Sequence, residues 1–394
     1  MPDSDYRELF DAVAAVGRTE RGWTRPPWSP AVREAEQVVV AAGERAALVS
    51  SHDAAGNLWL TDPAATDGLV AAGSHLDTVP DGGAFDGALG VVSAVVAVAR
   101  LRAAGVAGAD RLAVVSFADE EGWRFGTPIF GSRVLTGAYG RDVLDRFDAD
   151  GVRLGDAGPP DPFAARDGHR RLAAFVEVHV EQGRALAPAG VPLGVATSLA
   201  ARSRFAFACD GAANHAGTTP MAERDDALVA AARLVLAADA AARDEPGAVA
   251  TIGTLDVQPG GSNVIPGRVT GTLDVRAPDP ARRDAVVAAI QAACPAVELT
   301  RLAADDGVAF DARIRAALHE AAAGGAIDLA SYAGHDAGVL AAAGVPAGML
   351  FVRSPDGVSH DPGERADEAD CLAGVATLER ALRACLDAFP PIAG

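Results

Sequence analysis

The sequence predicts an α/β protein: a mostly parallel sheet covered by helices, interrupted by an inserted ferredoxin-like α+β domain. Three observations carry this. Over roughly the first 110 residues, helix-patterned stretches alternate with continuous apolar strands, as in a parallel sheet buried on both faces. Between residues 200 and 308 the order of elements is βαββαβ, a self-sufficient two-layer unit. The ionisable residues that stand out lie at strand ends and in loops, where ligands bind in open α/β sheets.

The elements follow in order. Residues 29–42 have helical spacing, opened by Ser29 as cap and Pro30 in the first turn. Residues 47–51 and 57–60 read as short strands around a turn at 53–56. Residues 68–74 and 111–118 are short apolar runs, hence buried strands, and the Ala/Val-rich stretch 87–104 between them is a helix. In the insertion, 203–209, 247–257, 268–276 and 297–302 are strands, while 224–242 and 280–293 are helices. The first pattern then returns with a helix at 311–323, a strand at 347–351 and a final helix at 367–388. The expected organisation is one domain in two parts, 1–199 and 309–394, around an insertion at 200–308.

Composition narrows the chemistry. The 394 residues are 49% hydrophobic, which allows a sizeable core. There is no lysine, so a Schiff-base lysine, a Walker A lysine and a Ser-Lys dyad are all excluded. A formal charge of -19 argues against nucleic acid or an anionic membrane as partner. The four cysteines, Cys209, Cys294, Cys371 and Cys385, lack zinc-site or disulfide-framework spacing and read as core residues. The acidic, amphipathic N-terminus is unlike a signal peptide, and no apolar run reaches membrane-span length. The expectation is a soluble, cytoplasmic protein.

Four segments carry candidate chemistry. In the Gly-rich stretch 73–87, His75 and Asp77 are two apart on extended backbone and face the same way, and Asp86 follows. Imidazole and carboxylate suit a divalent ion, though the same residues would serve a surface turn with a helix cap. At 119–121 a buried strand ends in Asp119, Glu120 and Glu121. Neighbouring residues on extended chain face opposite sides, so one carboxylate can bind metal and the other face substrate; a solvated acidic turn is the alternative. His179 interrupts an apolar strand, as a core histidine or as a ligand, and His360 follows the strand at 347–351. Together His75, Asp86, Glu121, His179 and His360 suit two metals bridged by one carboxylate.

The runs GSHLDTVPDGGAFDGALG, EEGWRFG, HVEQG, GAANHAGTTPM, GGSNVIPG, LDVR, AGHDAG and GMLFVRSPDGVSHDPGE occur in this order. In them the chain resembles M20-type metallohydrolases, specifically the branch of N-carbamoyl-L-amino acid hydrolases, allantoate amidohydrolases and β-ureidopropionases. The resemblance implies a catalytic domain holding two divalent ions (Zn, Mn, Co or Ni), with the insertion serving as lid and as the interface of a homodimer. It places His75, Asp86 and His179 on one metal, and Asp86, Glu121 and His360 on the other. Asp77 would orient His75, Glu120 would be the general base, and Asp119 would be a solvated neighbour. His215 would polarise the substrate carbonyl. Asn263 and Arg276 would hold the substrate's carboxylate, Gln182 is a further contact, and His335 and Asp336 would sit nearby. The implied reaction is cleavage of a carbamoyl or ureido C–N bond in a small carboxylated substrate, with release of ammonia and CO2. Histidine at position 179, where the peptidases of the group carry a carboxylate, favours this over a dipeptidase or aminoacylase of the same architecture. A binding or scaffold protein with a relict site would lack some of these residues. Two positions depart from the branch: Arg202 stands where glutamine is usual and Arg353 where proline is usual. Extra guanidinium groups there either favour a more anionic substrate or are surface charge.

Overall fold

The computed structural model describes residues 3–390. The strands are β1 (Val49–His52), β2 (Leu58–Thr61), β3 (Leu69–His75), β4 (Leu112–Phe117), β5 (Leu172–Val180), β6 (Leu193–Leu199), β7 (Ala201–Asp210), β8 (Val249–Gln258), β9 (Arg268–Ala277), β10 (Glu298–Asp305), β11 (Val308–Ala309), β12 (Ala326–Ser331) and β13 (Ala347–Val352). Two compact units emerge. One comprises Met1–Thr197, Ala309–Leu329 and Gly334–Gly394; the other comprises Ser198–Val308 with Ala330–Ala333.

The first unit is built on a nine-stranded sheet in the order β1-β2-β4-β3-β5-β13-β6-β11, with β12 beside β6. Its centre, β4-β3-β5-β13, is parallel, whereas β2 joins β4 and β6 joins β13 antiparallel. The parallel strands are buried along their whole length, so they read as unbroken apolar runs rather than alternating ones. The helix Ala88–Ala103 is buried on nearly every side and correspondingly lacks a polar face. The helix Pro30–Arg45 begins as its sequence indicates: the Ser29 hydroxyl accepts the Val32 N–H, and proline occupies the first turn. β6 and β12 were not anticipated. Glycine and proline around β6 and the short, half-buried alternation of β12 mask them.

The inserted unit is a four-stranded antiparallel sheet in the order β10-β7-β9-β8. Along β7, buried and more exposed residues alternate, so Phe205, Phe207 and Cys209 pack with the helices Ala227–Asp244 and Pro280–Ala293 in a separate core. Among the described residues, no helix is long and apolar enough to cross a membrane.

Candidate functional site

The four central strands of the first unit run parallel, so their carboxyl ends share one edge of the sheet. His75 is the last residue of β3; the loop bearing Asp119, Glu120 and Glu121 follows β4; His179 lies one residue from the end of β5; and the loop bearing His360 follows β13. Strand order alone thus brings together residues separated by up to 285 positions in the chain.

Asp86 is the focus. Its Oδ1 lies 3.3 Å from His75 Nε2 and 3.1 Å from His179 Nε2, and its Oδ2 lies 3.4 Å from His360 Nε2. His360 Nε2 is also 3.4 Å from Glu121 Oε2. Two ligand groups therefore meet at one carboxylate: His75, Asp86 and His179, and Asp86, Glu121 and His360. The ring tautomers fit this arrangement. His75 Nδ1 faces the Asp77 carbonyl at 3.0 Å and His179 Nδ1 faces the Val180 carbonyl at 2.9 Å, which directs both Nε2 lone pairs at the centre. Glycine is required beside them: a Cβ on Gly87, whose φ is +64, would sit 2.5 Å from the His75 ring.

Asp77 acts differently from expectation. Its carboxylate is 3.7 Å from His75 Nδ1, and it is the Asp77 carbonyl that holds the ring. The carboxylate instead accepts the backbone N–H groups of Glu120 and Glu121, each at 3.2 Å. It therefore fixes the acidic pair. Glu120 Oε2 lies 3.7 Å from His75 Nε2, on the side of the ligand groups.

The electrostatics are dominated by burial. Burial raises the Glu120 carboxyl well above its usual range against the pull of His75, and Asp336, Glu121 and Asp77 add to the rise. Glu121 is pushed up to about 7 by burial and by Asp86. Asp86 goes the other way: burial disfavours its charge, but His179, His360 and His75 outweigh it and hold it well below the usual range. His75 is raised despite burial by Glu120, Asp86 and Asp77, and His360 rises to about 9 through its contact with Asp86. Two buried atoms of the ligand set, His75 Nε2 and Glu121 Oε1, have no hydrogen-bond partner among the described residues. An orphaned imidazole nitrogen in one ligand group and an orphaned carboxylate oxygen in the other are donors that divalent cations take. The residues fit such ions.

In a third acidic and imidazole grouping, Glu177, His179 and His335, the Glu177 carboxylate is held by the protein itself, while His335 Nε2 has no hydrogen-bond partner among the described residues. Glu177 accepts Ser74 Oγ at 2.8 Å and the Ala337 N–H at 2.9 Å. His335 stacks edge-on against His179 and is held neutral by burial and by that neighbour. Gln182 donates to Asp86 Oδ2 at 3.3 Å and to Ser359 Oγ at 3.1 Å, so its amide steadies the central carboxylate and leaves Oε1 unpartnered. Asp336 is buried and accepts Ser132 Oγ.

In the inserted unit, His215 Nδ1 accepts the N–H groups of Gly217 and Thr218 at 3.0 and 3.2 Å, which leaves the proton on Nε2 of an exposed ring. The Asn263 carbonyl accepts the Ala216 N–H, tying together the two loops that carry His215 and Asn263. Arg276 donates to Asp274 at 2.8 Å and to the Tyr332 carbonyl at 2.6 Å.

Three features escaped the sequence. Asp119 is not a solvated neighbour: it is 1% exposed, its backbone φ is +51, and Thr127 Oγ1 donates to it. Glu364 accepts the N–H groups of Phe85 and Asp86, both at 3.0 Å, and so holds the loop bearing the central carboxylate. Arg25 is fully buried under the site and donates to the carbonyls of Leu76 and Val16. Arg353 is not part of the site; its guanidinium pairs with the buried Asp370 at 2.8 Å.

Comparison with known proteins agrees with this architecture. Residues 71–384 match the model of the peptidase family M20/M25/M40. The chain is 39% identical over 395 aligned positions to an N-carbamoyl-L-amino acid amidohydrolase of Geobacillus stearothermophilus, covering 95% of this chain and 96% of that one. It is 33% identical to the allantoate amidohydrolase of Bacillus subtilis, with 95% of each covered. A crystal structure of an amidase of the hydantoinase/carbamoylase family from Burkholderia multivorans superposes with a TM-score of 0.89, at 31% identity and 98% coverage of both chains. With its strand-end histidines and carboxylates in place and its length matched throughout, the chain belongs to the M20/M25/M40 peptidase family.

Proposed function

We propose that this protein is a two-metal amidohydrolase that cleaves the C–N bond of a carbamoyl or ureido group in a small carboxylated substrate, an N-carbamoyl-L-amino acid or allantoate, with release of ammonia and CO2. The observation that carries the reading is Asp86 set among three imidazoles, with the Glu120 carboxyl beside them. Names of the similar proteins support the substrate class.

His75, Asp86 and His179 would hold one divalent ion, and Asp86, Glu121 and His360 would hold the other. When bound, such ions supply Lewis acidity toward water and the scissile carbonyl. Glu120, fixed through its backbone by Asp77, takes the proton of the attacking water and returns it to the leaving nitrogen. Burial raises its proton affinity, which suits a carboxylate that must take up a proton and then release it. His215 keeps its Nε2 proton for the oxyanion that develops on the carbonyl. Arg276 and Asn263 take the substrate's carboxylate, Arg276 through its planar fork, while Gln182 and His335 complete the contacts. The reading includes a homodimer formed through the inserted unit.

The test is ammonia release by protein loaded with Zn, Mn, Co or Ni, against N-carbamoyl-L-amino acids, allantoate, N-carbamoyl-β-alanine, dipeptides and N-acetyl amino acids. Release from a ureido acid, abolished by a chelator and restored by metal, is expected. Turnover of dipeptides or N-acyl amino acids alone would overturn the reading in favour of a peptidase or aminoacylase.

A further inference from the structure

The open face of the inserted sheet carries a cluster that the scheme above uses only in part. Along β7, Arg202 and Arg204 alternate with the buried Ser203 and Phe205, so both arginines point away from the helices. The register sets Arg202 directly opposite Arg276, and Arg204 directly opposite Asp274, in β9. All four side chains therefore share one face. Asp274 serves the three arginines together: Oδ2 lies 3.0 Å from Arg202 Nε and 3.5 Å from Arg204 Nε, and Oδ1 lies 2.8 Å from Arg276 Nε.

Three guanidinium groups share the Asp274 carboxylate, so even with Asp305 opposite Arg202 one positive charge is left unmatched. Asp305 stands opposite Arg202 on the other side but turns its Oδ1 to the Gly307 N–H at 2.9 Å. Arg276 spends one terminal nitrogen on the Tyr332 carbonyl. Arg202 and Arg204 approach Asp274 through Nε at 3.0 and 3.5 Å. Directly opposed like charges weaken a sheet. A chain with 53 acidic and 34 basic residues has kept such a pair here. Burial, together with Arg204 and Arg276, lowers the pKa of Arg202 despite its contact with Asp274, which marks a cation short of counter-charge.

Side chains directly opposed across two strands stand about 4.5–5.5 Å apart at Cβ. A four- or five-carbon diacid spans that interval. We propose that Arg202, supported by Arg204, binds a second carboxylate beside the one taken by Arg276, so that the preferred substrates are ureido acids with two carboxylates. This rests on the reading that Arg276 receives the substrate's carboxylate. Glutamine at position 202 would offer a neutral contact; arginine offers charge and a two-pronged donor.

The experiment compares kcat/KM for N-carbamoyl-L-glutamate and N-carbamoyl-L-glutamine, which differ only by a carboxylate against a carboxamide, in manganese-loaded wild type, R202Q and R202K. Wild type should favour the glutamate by about tenfold or more, the worth of one charge-assisted hydrogen bond. In R202Q that ratio should fall toward one, and in R202K part of it should remain. A ratio taken within one preparation is insensitive to partial misfolding. A wild-type ratio near one, or a ratio unmoved by R202Q, would overturn the proposal. Calorimetric binding of glutarate and butyrate, which needs no turnover, forms the second arm. Glutarate should bind more tightly than butyrate in wild type and lose that advantage in R202Q; equal binding in wild type overturns the proposal. If Arg202-dependent glutarate binding is found and no ureido acid is hydrolysed, the hydrolase reading fails and the dicarboxylate site stands. If the glutamine derivative is hydrolysed without discrimination, only the dicarboxylate site fails.

Discussion

Replacing Glu364 with alanine tests how the central carboxylate is held. Glu364 Oε2 receives the adjacent N–H groups of Phe85 and Asp86, each at 3.0 Å, from a buried position. Its removal leaves two buried amide donors unsatisfied, each costing about 1–3 kcal/mol, so the apo protein should lose about 2–5 kcal/mol of stability. The Asp86 peptide is one of the two, so the loop that places the bridging ligand is loosened as well. Loss of a group that orients a ligand typically costs about 10–100-fold in metal affinity. Glu364→Gln keeps the volume and one acceptor oxygen and should cost clearly less in both respects. Gly83 lies against the same carboxylate, a built Cβ coming 2.0 Å from Glu364 Oε2, so little can move in to replace it. Denaturant unfolding of the apo protein reads the first effect, and competition with a chromophoric chelator reads the second. A Glu364→Ala protein with wild-type stability and wild-type metal affinity would refute the assignment.

The remaining expectations are these. Glu120→Gln should bind metal with near wild-type stoichiometry yet lose about 10²–10⁴ in kcat, the usual worth of a general base; elemental analysis beside steady-state kinetics checks it, and an active variant removes Glu120 from that role. Arg353→Ala should destabilise the fold by about 1–3 kcal/mol by leaving the buried Asp370 unpaired, measured by denaturant unfolding. The apo protein should lose stability as pH rises from about 4.5 to about 9. Glu121 and Glu364, both near 7 in the fold, and His360, near 9, bind protons more tightly folded than unfolded, so the folded state carries more protons across that window. His335, held neutral, opposes this below its ordinary pKa. Thermal unfolding of metal-free protein across this range measures the slope, and a rising stability would contradict it.

Much of the site was legible because strand order does most of its assembly. A histidine at the end of a buried strand has few explanations, and His75, His179 and His360 meet because β3, β5 and β13 are parallel neighbours. What escaped depends on partners remote in sequence or on local backbone geometry. Glu364 is 278 residues from the peptide it holds, and nothing in SHDPGE announces that contact. Arg353 read either as a substrate contact or as surface charge because its partner, Asp370, lies in the first turn of the final helix. Asp119 read as solvated because three acids in a row normally are. A left-handed backbone at Asp119 turns the chain so that Phe130 and Thr127 enclose it. Asp77 was assigned to His75 through the family resemblance, which could not distinguish its carbonyl from its carboxylate.

The buried acids also explain why the run Asp119-Glu120-Glu121 belongs at the mouth of a strand. Asp77, Asp86, Asp119, Glu120, Glu177, Asp336 and Glu364 are all almost fully buried, and Glu121 lies among them. An unpaired buried anion is costly, and a protein has two ways to avoid it: protonate the group, or bring in a cation. In this fold every one of these carboxyls except Asp86 is displaced toward the protonated form, with burial the first cause in each case. Asp86 alone is shifted the other way, because the three imidazoles around it outweigh its burial. The apo site thus has a raised proton affinity where divalent ions would bind, so metal uptake should be coupled to proton release. The same surplus of acid that looks wasteful in a chain of net charge -19 is what makes the strand ends a metal site rather than a polar core.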